Sequence, residues 1–133
     1  MNIEILTLAD NVQQYDGKLV IVGTFNDITL PQIPHVVEMA VACKVEFYKS
    51  EEGKHTLELN IINSQTKEAV ITPIKIETPP LEIQGDYLYL NFVTNINNAL
   101  FKVAGLYDVV MKVDNVEKVT HLKINAQQQQ SAQ

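Results

Sequence analysis

Arginine and tryptophan are absent from this 133-residue chain, and cysteine occurs once. All ten basic residues are lysines, set against sixteen acidic ones. Each shortage excludes something. Arginine supplies the planar fork that grips phosphates and guanine edges with two bonds, and lysine does not reproduce it. A formal net charge of −6 also repels a polyanion before contact. Nucleic acid is therefore not an expected partner. Missing arginine beside abundant Asn, Ile and Lys also fits an AT-rich coding sequence. A lone thiol, Cys43, forms no internal disulfide and builds no cysteine-based zinc site. The three histidines, His35, His55 and His121, are far apart, and none belongs to an HxxxH spacing. No run approaches 18 apolar residues, so membrane insertion is not expected. Met1 leads almost at once into Ile3-Glu4-Ile5-Leu6, with no basic region or sustained apolar stretch. A complete small cytoplasmic product, bacterial or from a phage and possible within a virion or other assembly, is the expectation.

What is present is ordinary for a globular chain: 46% hydrophobic and 20% charged residues. That balance argues against intrinsic disorder, and the length suits one domain with its own core. We expect a single domain over 1–125, followed by a polar, glutamine-rich tail over 126–133 that lacks apolar anchors and is disordered in the free monomer.

The dominant period is two. From Val36 to Tyr48 the odd positions read Val37, Met39, Val41, Cys43, Val45 and Phe47, while Glu38, Lys44 and Glu46 fall on even ones. Side chains alternate across a strand, so the odd set faces a core and Cys43 is a buried small hydrophobe. Similar runs predict strands over 3–9, 18–25, 56–63, 69–76, 86–93, 107–113 and 116–125. Pro73 demotes its strand to an edge or bulge. Asp16-Gly17, Glu52-Gly53 and Gly85-Asp86 mark turns, and Asp114-Asn115 joins the last two strands as a tight hairpin. The stretch Leu30 to Pro34 reads as an extended crossover. No long segment of period 3.6 occurs. The fold class is all-β, an antiparallel β-sandwich of about eight strands.

An ordered series marks the first third: Ala9-Asp10, Gly17-Lys18-Leu19, Val22-Gly23-Thr24-Phe25, Asp27-Ile28, then Pro31 through Pro34. Late in the chain come Phe101, Gly105 and Tyr107, then the strands flanking Asp114-Asn115. The series resembles a family of small bacterial proteins of unknown function that open on LAD, GKL, IGTFD and proline. Asn26 departs from that pattern, with Asp27 following one position later. The resemblance implies a β-sandwich and supplies no activity. Each motif residue also has a structural reading. Gly23 permits a bulge or close backbone approach, Gly17 a turn, and Tyr107 a corner whose hydroxyl ties down a loop.

Chemistry finds little purchase. Asp and Asn cluster at Asp10, Asn11 and Asp16, at Asn26 and Asp27, at Asn95, Asn97 and Asn98, and at Asp114 and Asn115. Calcium wants six to eight such oxygens. No loop carries a DxDxDG pattern, however, and these residues are ordinary turn formers. No GxSxG or phosphate-cradling glycine loop exists. His55 and His121 read as surface residues, and Glu51-Glu52 as solvated turn charge. No catalytic, cofactor-binding or metal-binding residue is expected, and no cofactor.

The leading expectation is a non-catalytic interaction or structural module, joined to a protein partner or a second copy. It rests on strand positions that are apolar where water is expected: Val20, Val22, Val36, Ala40, Ala42 and Val110. The alternative is a saccharide or small-ligand module using a tyrosine-bearing face of Tyr48, Tyr87 and Tyr89. A divergent enzyme is the third reading.

Overall fold

The computed structural model describes residues 1–127. The remainder of the expected tail, 128–133, lies outside the described residues. The strands are β1 (Asn2–Tyr15), β2 (Lys18–Thr24), β3 (Asp27–Leu30), β4 (His35–Tyr48), β5 (Thr56–Asn63), β6 (Ile74–Glu77), β7 (Tyr87–Phe101), β8 (Gly105–Val113) and β9 (Val116–Ala126). They form a β-sandwich of a four-stranded sheet, β2-β1-β4-β7, and a five-stranded sheet, β3-β9-β8-β5-β6. The expected fold class is found, with one strand more and one parallel pair, β3 with β9.

The odd residues of β4 from Met39 to Phe47 face the core between the sheets. They meet Leu57, Leu59 and Ile61 of β5, Val109, Met111 and Val113 of β8, and Leu122 and Ile124 of β9 in one cluster. Cys43 is fully buried there. Burial pushes its thiol up to about 12 against the opposing pull of Lys118, so it stays protonated and inert.

The other side of β4 departs from expectation. Ala40 and Ala42 are 2% and 0% exposed. They pack in a second cluster with Ala9 and Val12, bordered by Leu19, Ile21 and Val93. The cause is the shape of β1. Its first half pairs with β4 as far as Ala9, opposite Ala40. Its second half pairs with β2 alone, from Ala9 opposite Thr24 to Tyr15 opposite Lys18. This β1–β2 arm turns back over the outer face of the sheet. Its tip reaches β7, where Asn91 Nδ2 donates to Gly17 O at 3.1 Å. Asp16 and Gly17 both take positive φ at the tip, 51° and 73°, as a two-residue turn requires. At the base, Gly23 has φ +71°, and a Cβ there would collide with the Asp10 carboxylate. The apolar patch at Ala40 and Ala42 is therefore covered from within the chain, by the arm.

Other differences have local causes. β7 runs to Phe101, well past the expected end at Val93. Met39 pairs with Ile96 but Val37 with Ala99, so one extra residue sits at Asn97-Asn98. That bulge switches the inward set from Leu88, Leu90, Phe92 and Ile96 to Ala99 and Phe101, which hides the period. β3 is too short to show a period. Side chains hold it: Asn26 Nδ2 donates to His121 O at 2.6 Å, and Asn125 Nδ2 to Asp27 Oδ1 at 2.5 Å. β6 is a four-residue edge strand just after Pro73, and Ala69 touches β5 through an isolated bridge to Ile62. At the β7–β8 corner the Tyr107 hydroxyl donates to Val103 O at 2.6 Å, as its sequence setting suggests. The sheet also extends one residue beyond the expected domain end, with Ala126 opposite Leu30.

The arm sets two expectations for stability. Ala42→Glu places a carboxylate in the dry layer between arm and sheet, and should cost on the order of 4 kcal/mol or more. A denaturation midpoint matching the parent would show that the arm lifts freely. Gly23→Ala should cost about 1–2 kcal/mol by forcing a Cβ into positive φ. An unchanged midpoint would place the bend elsewhere.

Candidate functional site

Beyond the tip of the arm the outer face of the four-stranded sheet is open. Strand alternation and register place three tyrosines there. Tyr48 lies opposite Tyr87, and Glu46 opposite Tyr89. The rings of Tyr87 and Tyr89 meet edge to face at 5.5 Å between centroids. Tyr89 Oη donates to Glu46 Oε2 at 2.5 Å, and Lys44 Nζ sits 5.3 Å from the Tyr89 ring centroid. The Glu46 carboxylate pushes the Tyr89 phenol up to about 12 and raises Tyr48 as well. These phenols are donors, not bases, near neutral pH. The expected ligand-face residues do come together. The arrangement offers stacking and hydrogen bonding.

The interface candidates do not form one surface. Val20 and Val22 point outward from the far side of the arm, 44% and 57% exposed. Val36 is exposed at the start of β4, across from Leu100. Val110 lies half-buried on the five-stranded sheet, between Asn60 and Val119. Ala40 and Ala42 are corrected from surface to interior, because the arm covers them.

A feature that alternation alone does not flag is the free edge of β7. This 15-residue strand is terminal in its sheet and pairs only with β4. Its sequence, YLYLNFVTNINNALF, holds no charge, proline or glycine. Beyond that ladder, the described residues give its main chain one bond, Gln14 Nε2 to Asn91 O at 3.5 Å. From Leu90 to Thr94 the side chains on both faces are only half-buried. Edge strands are normally kept short or blunted by charge, proline or bulges. The opposite-sheet edges follow that rule: β3 and β6 have four residues each, with Asp27 on one and Lys75 and Glu77 on the other. The signal in the sequence was the missing charge over 87–101.

A pocket of about 270 Å3 opens at one end of the sandwich, lined by Asn63, Val70, Leu100, Lys102 and Tyr107 among others. Among the described residues no three His, Cys, Asp or Glu side chains gather as metal ligands. No helix there is long and apolar enough to cross a membrane.

His55 is 9% exposed and is corrected from surface to interior. Its Nδ1 meets Asp114 Oδ2 at 2.5 Å, its Nε2 meets Glu51 O at 2.5 Å, and its ring packs on Phe47. Asp114 Oδ1 also accepts from Thr56 N at 3.0 Å. The network ties the β8–β9 turn to the segment entering β5. Glu52 is likewise engaged, accepting from Ile83 N at 2.8 Å and pairing with Lys49 at 3.1 Å.

A family model matches residues 4–126. The chain belongs to DUF6941, a family of unknown function. No curated protein matches the chain. Membership assigns no activity to the chain.

The histidine network predicts a pH dependence. Burial disfavours the imidazolium, but bonds to Asp114 and the Glu51 carbonyl, with the nearby negative charges, outweigh it and raise the His55 pKa. Burial also opposes the Asp114 carboxylate, and bonds from His55 and Thr56 N–H outweigh it and lower that pKa. The contribution of His55 is thus full below its ordinary value of about 6.5 and is lost as pH rises through its folded value. That of Asp114 is present above its ordinary value of about 3.9 and is lost as pH falls through its folded value. The stability difference between wild type and His55→Phe should therefore shrink from about pH 5.5 to about pH 8.5. Urea midpoints at the two values check this, and a constant difference would contradict it.

Proposed function

We propose that the chain is a non-catalytic protein-interaction module that works as part of an oligomer or larger assembly, with the β7 edge as its contact element. The observation that carries this reading is the long, neutral, unpaired edge of β7. An extended strand laid along such an edge satisfies its open N–H and C=O groups and draws affinity from the main chain. Side chains on the two faces then set specificity, here the Tyr87 and Tyr89 row outside and the Leu88, Leu90 and Phe92 row inside. Val20, Val22, Val36 and Val110 are scattered and contribute only at the margins of such a contact. Nothing in the reading requires a cofactor, nucleic acid or membrane.

A photo-reactive side chain at Asn95, in the cells that make the protein, tests the reading. A discrete adduct from position 95, absent when the group is moved to Glu117 on the other sheet, is expected. Equal adducts from both positions, or none from 95, would overturn it.

A second reading rests on the cluster of Tyr48, Tyr87 and Tyr89 beside Lys44 and Glu46. Sugar rings stack on exposed aromatics, and the flanking charges would bond their hydroxyls. Titration of a panel of oligosaccharides should then perturb the amide resonances of residues 44–48 and 87–91. A spectrum unmoved at millimolar sugar would remove this reading.

A further inference from the structure

We infer that the occupant of the β7 edge is a second copy of this chain, its β7 lying antiparallel so that two four-stranded sheets become one continuous sheet. The inference rests on the reading of β7 as the contact element and adds the identity of the partner. Three features point to self-pairing. The first is the pattern of the strand. A two-fold axis across an antiparallel pair keeps each face on its own side. Inward Leu88, Leu90 and Phe92 then meet the same row of the other copy, and outward Tyr87, Tyr89, Asn91 and Val93 meet theirs. The chain itself carries the neutral, alternating strand that this edge requires.

The second feature is electrostatic. Two copies at net charge −6 repel, and they approach at least cost along an edge without charge. The third is extent. From Tyr87 to Ile96 the pairing with β4 is regular, and the extra residue at Asn97-Asn98 ends it. Ten regular residues give a straight edge of about 34 Å. Along its middle the inward side chains Leu90, Phe92 and Thr94 are only half-buried, which is the burial that a neighbouring strand completes, while the arm borders Asn91 and Val93 on the outer face.

Sedimentation equilibrium of the purified full chain from about 1 to 100 µM tests this, a range in which a weak two-fold contact is visible. The expected species has twice the chain mass. Tyr87→Lys with Asn95→Lys puts four ammonium groups along the joint and should weaken dimerisation by about 10-fold or more. Both side chains are exposed, so the melting temperature should hold; if the pair fails to fold, Asn95→Lys alone serves. Asn95→Gln should stay dimeric, as should Val20→Lys with Val22→Lys on the arm. A monomer throughout the range would overturn the second copy. A discrete adduct from position 95 with a heavier partner would then leave the contact element standing, whereas no adduct would remove both. A dimer that survives lysines on β7, or is lost on the arm variant, would also overturn the inference.

Discussion

The dry patch at Ala40 and Ala42 on the outer face of β4 is the constraint on which the rest of the molecule depends. A strand in a two-sheet sandwich normally keeps one side wet. Here Ala40 and Ala42 sit beneath Val12, Leu19 and Ile21, while Val41, Cys43 and Val45 fill the core on the other side. β4 is thus locally the middle of three layers. Alanine is what this permits, because a larger side chain would hold the arm away from the sheet. The bend at Asp10 and Gly23 follows, since the arm must reverse direction within a few residues to lie flat. Asn91 receives the tip, and that fixes how far along β7 the cover extends. The tyrosines begin where the arm ends.

Much of this was legible in the sequence. Period two in β4, β5 and β8 gave the fold class, and the turns at Asp16-Gly17 and Asp114-Asn115 are where glycine and Asx chemistry put them. The resemblance of the motif series to an uncharacterised family agrees with its membership of one. What escaped reading has two physical sources. Bulges break the count: one residue too many at Asn97-Asn98 turned a long strand into an apparent loop. Cover is a tertiary property: nothing in Val36 to Tyr48 states whether Ala40 meets water, a partner or another part of the same chain. His55 escaped for the second reason. Its partner Asp114 lies 59 positions away and its neighbours in sequence are polar.

Apolar residues on a strand face were the expected mark of an interface, and two of the six are core. The edge that replaces them advertises itself by composition rather than by hydrophobicity. Leucine, tyrosine and asparagine over 87–101 make an unremarkable stretch until the strand order shows that no neighbour lies beyond it. Fifteen residues without a charge, in a chain where one residue in five is charged, then stand out as an edge whose regular part, before the bulge at Asn97-Asn98, lacks the charge and proline that usually block pairing.

The parallel pairing of β3 with β9 joins residue 27 to residue 123. The five-stranded sheet places β9 between β3 and β8, so an early segment of the chain waits for the last one before its main-chain groups find partners. Leu30 and Ile28 have no layer to enter until then. A chain folded only as far as β7 would hold the four-stranded sheet with its arm but an opposite sheet still missing β8 and β9. Closure over so long a separation makes folding slow for the chain length, because loop entropy is lost before the contacts repay it. During that interval the neutral β7 edge and the apolar inner rows are exposed together, on the same unfinished sheet. The inner rows are covered only once β8 and β9 dock, so the hazard of strand mispairing is greatest before that step.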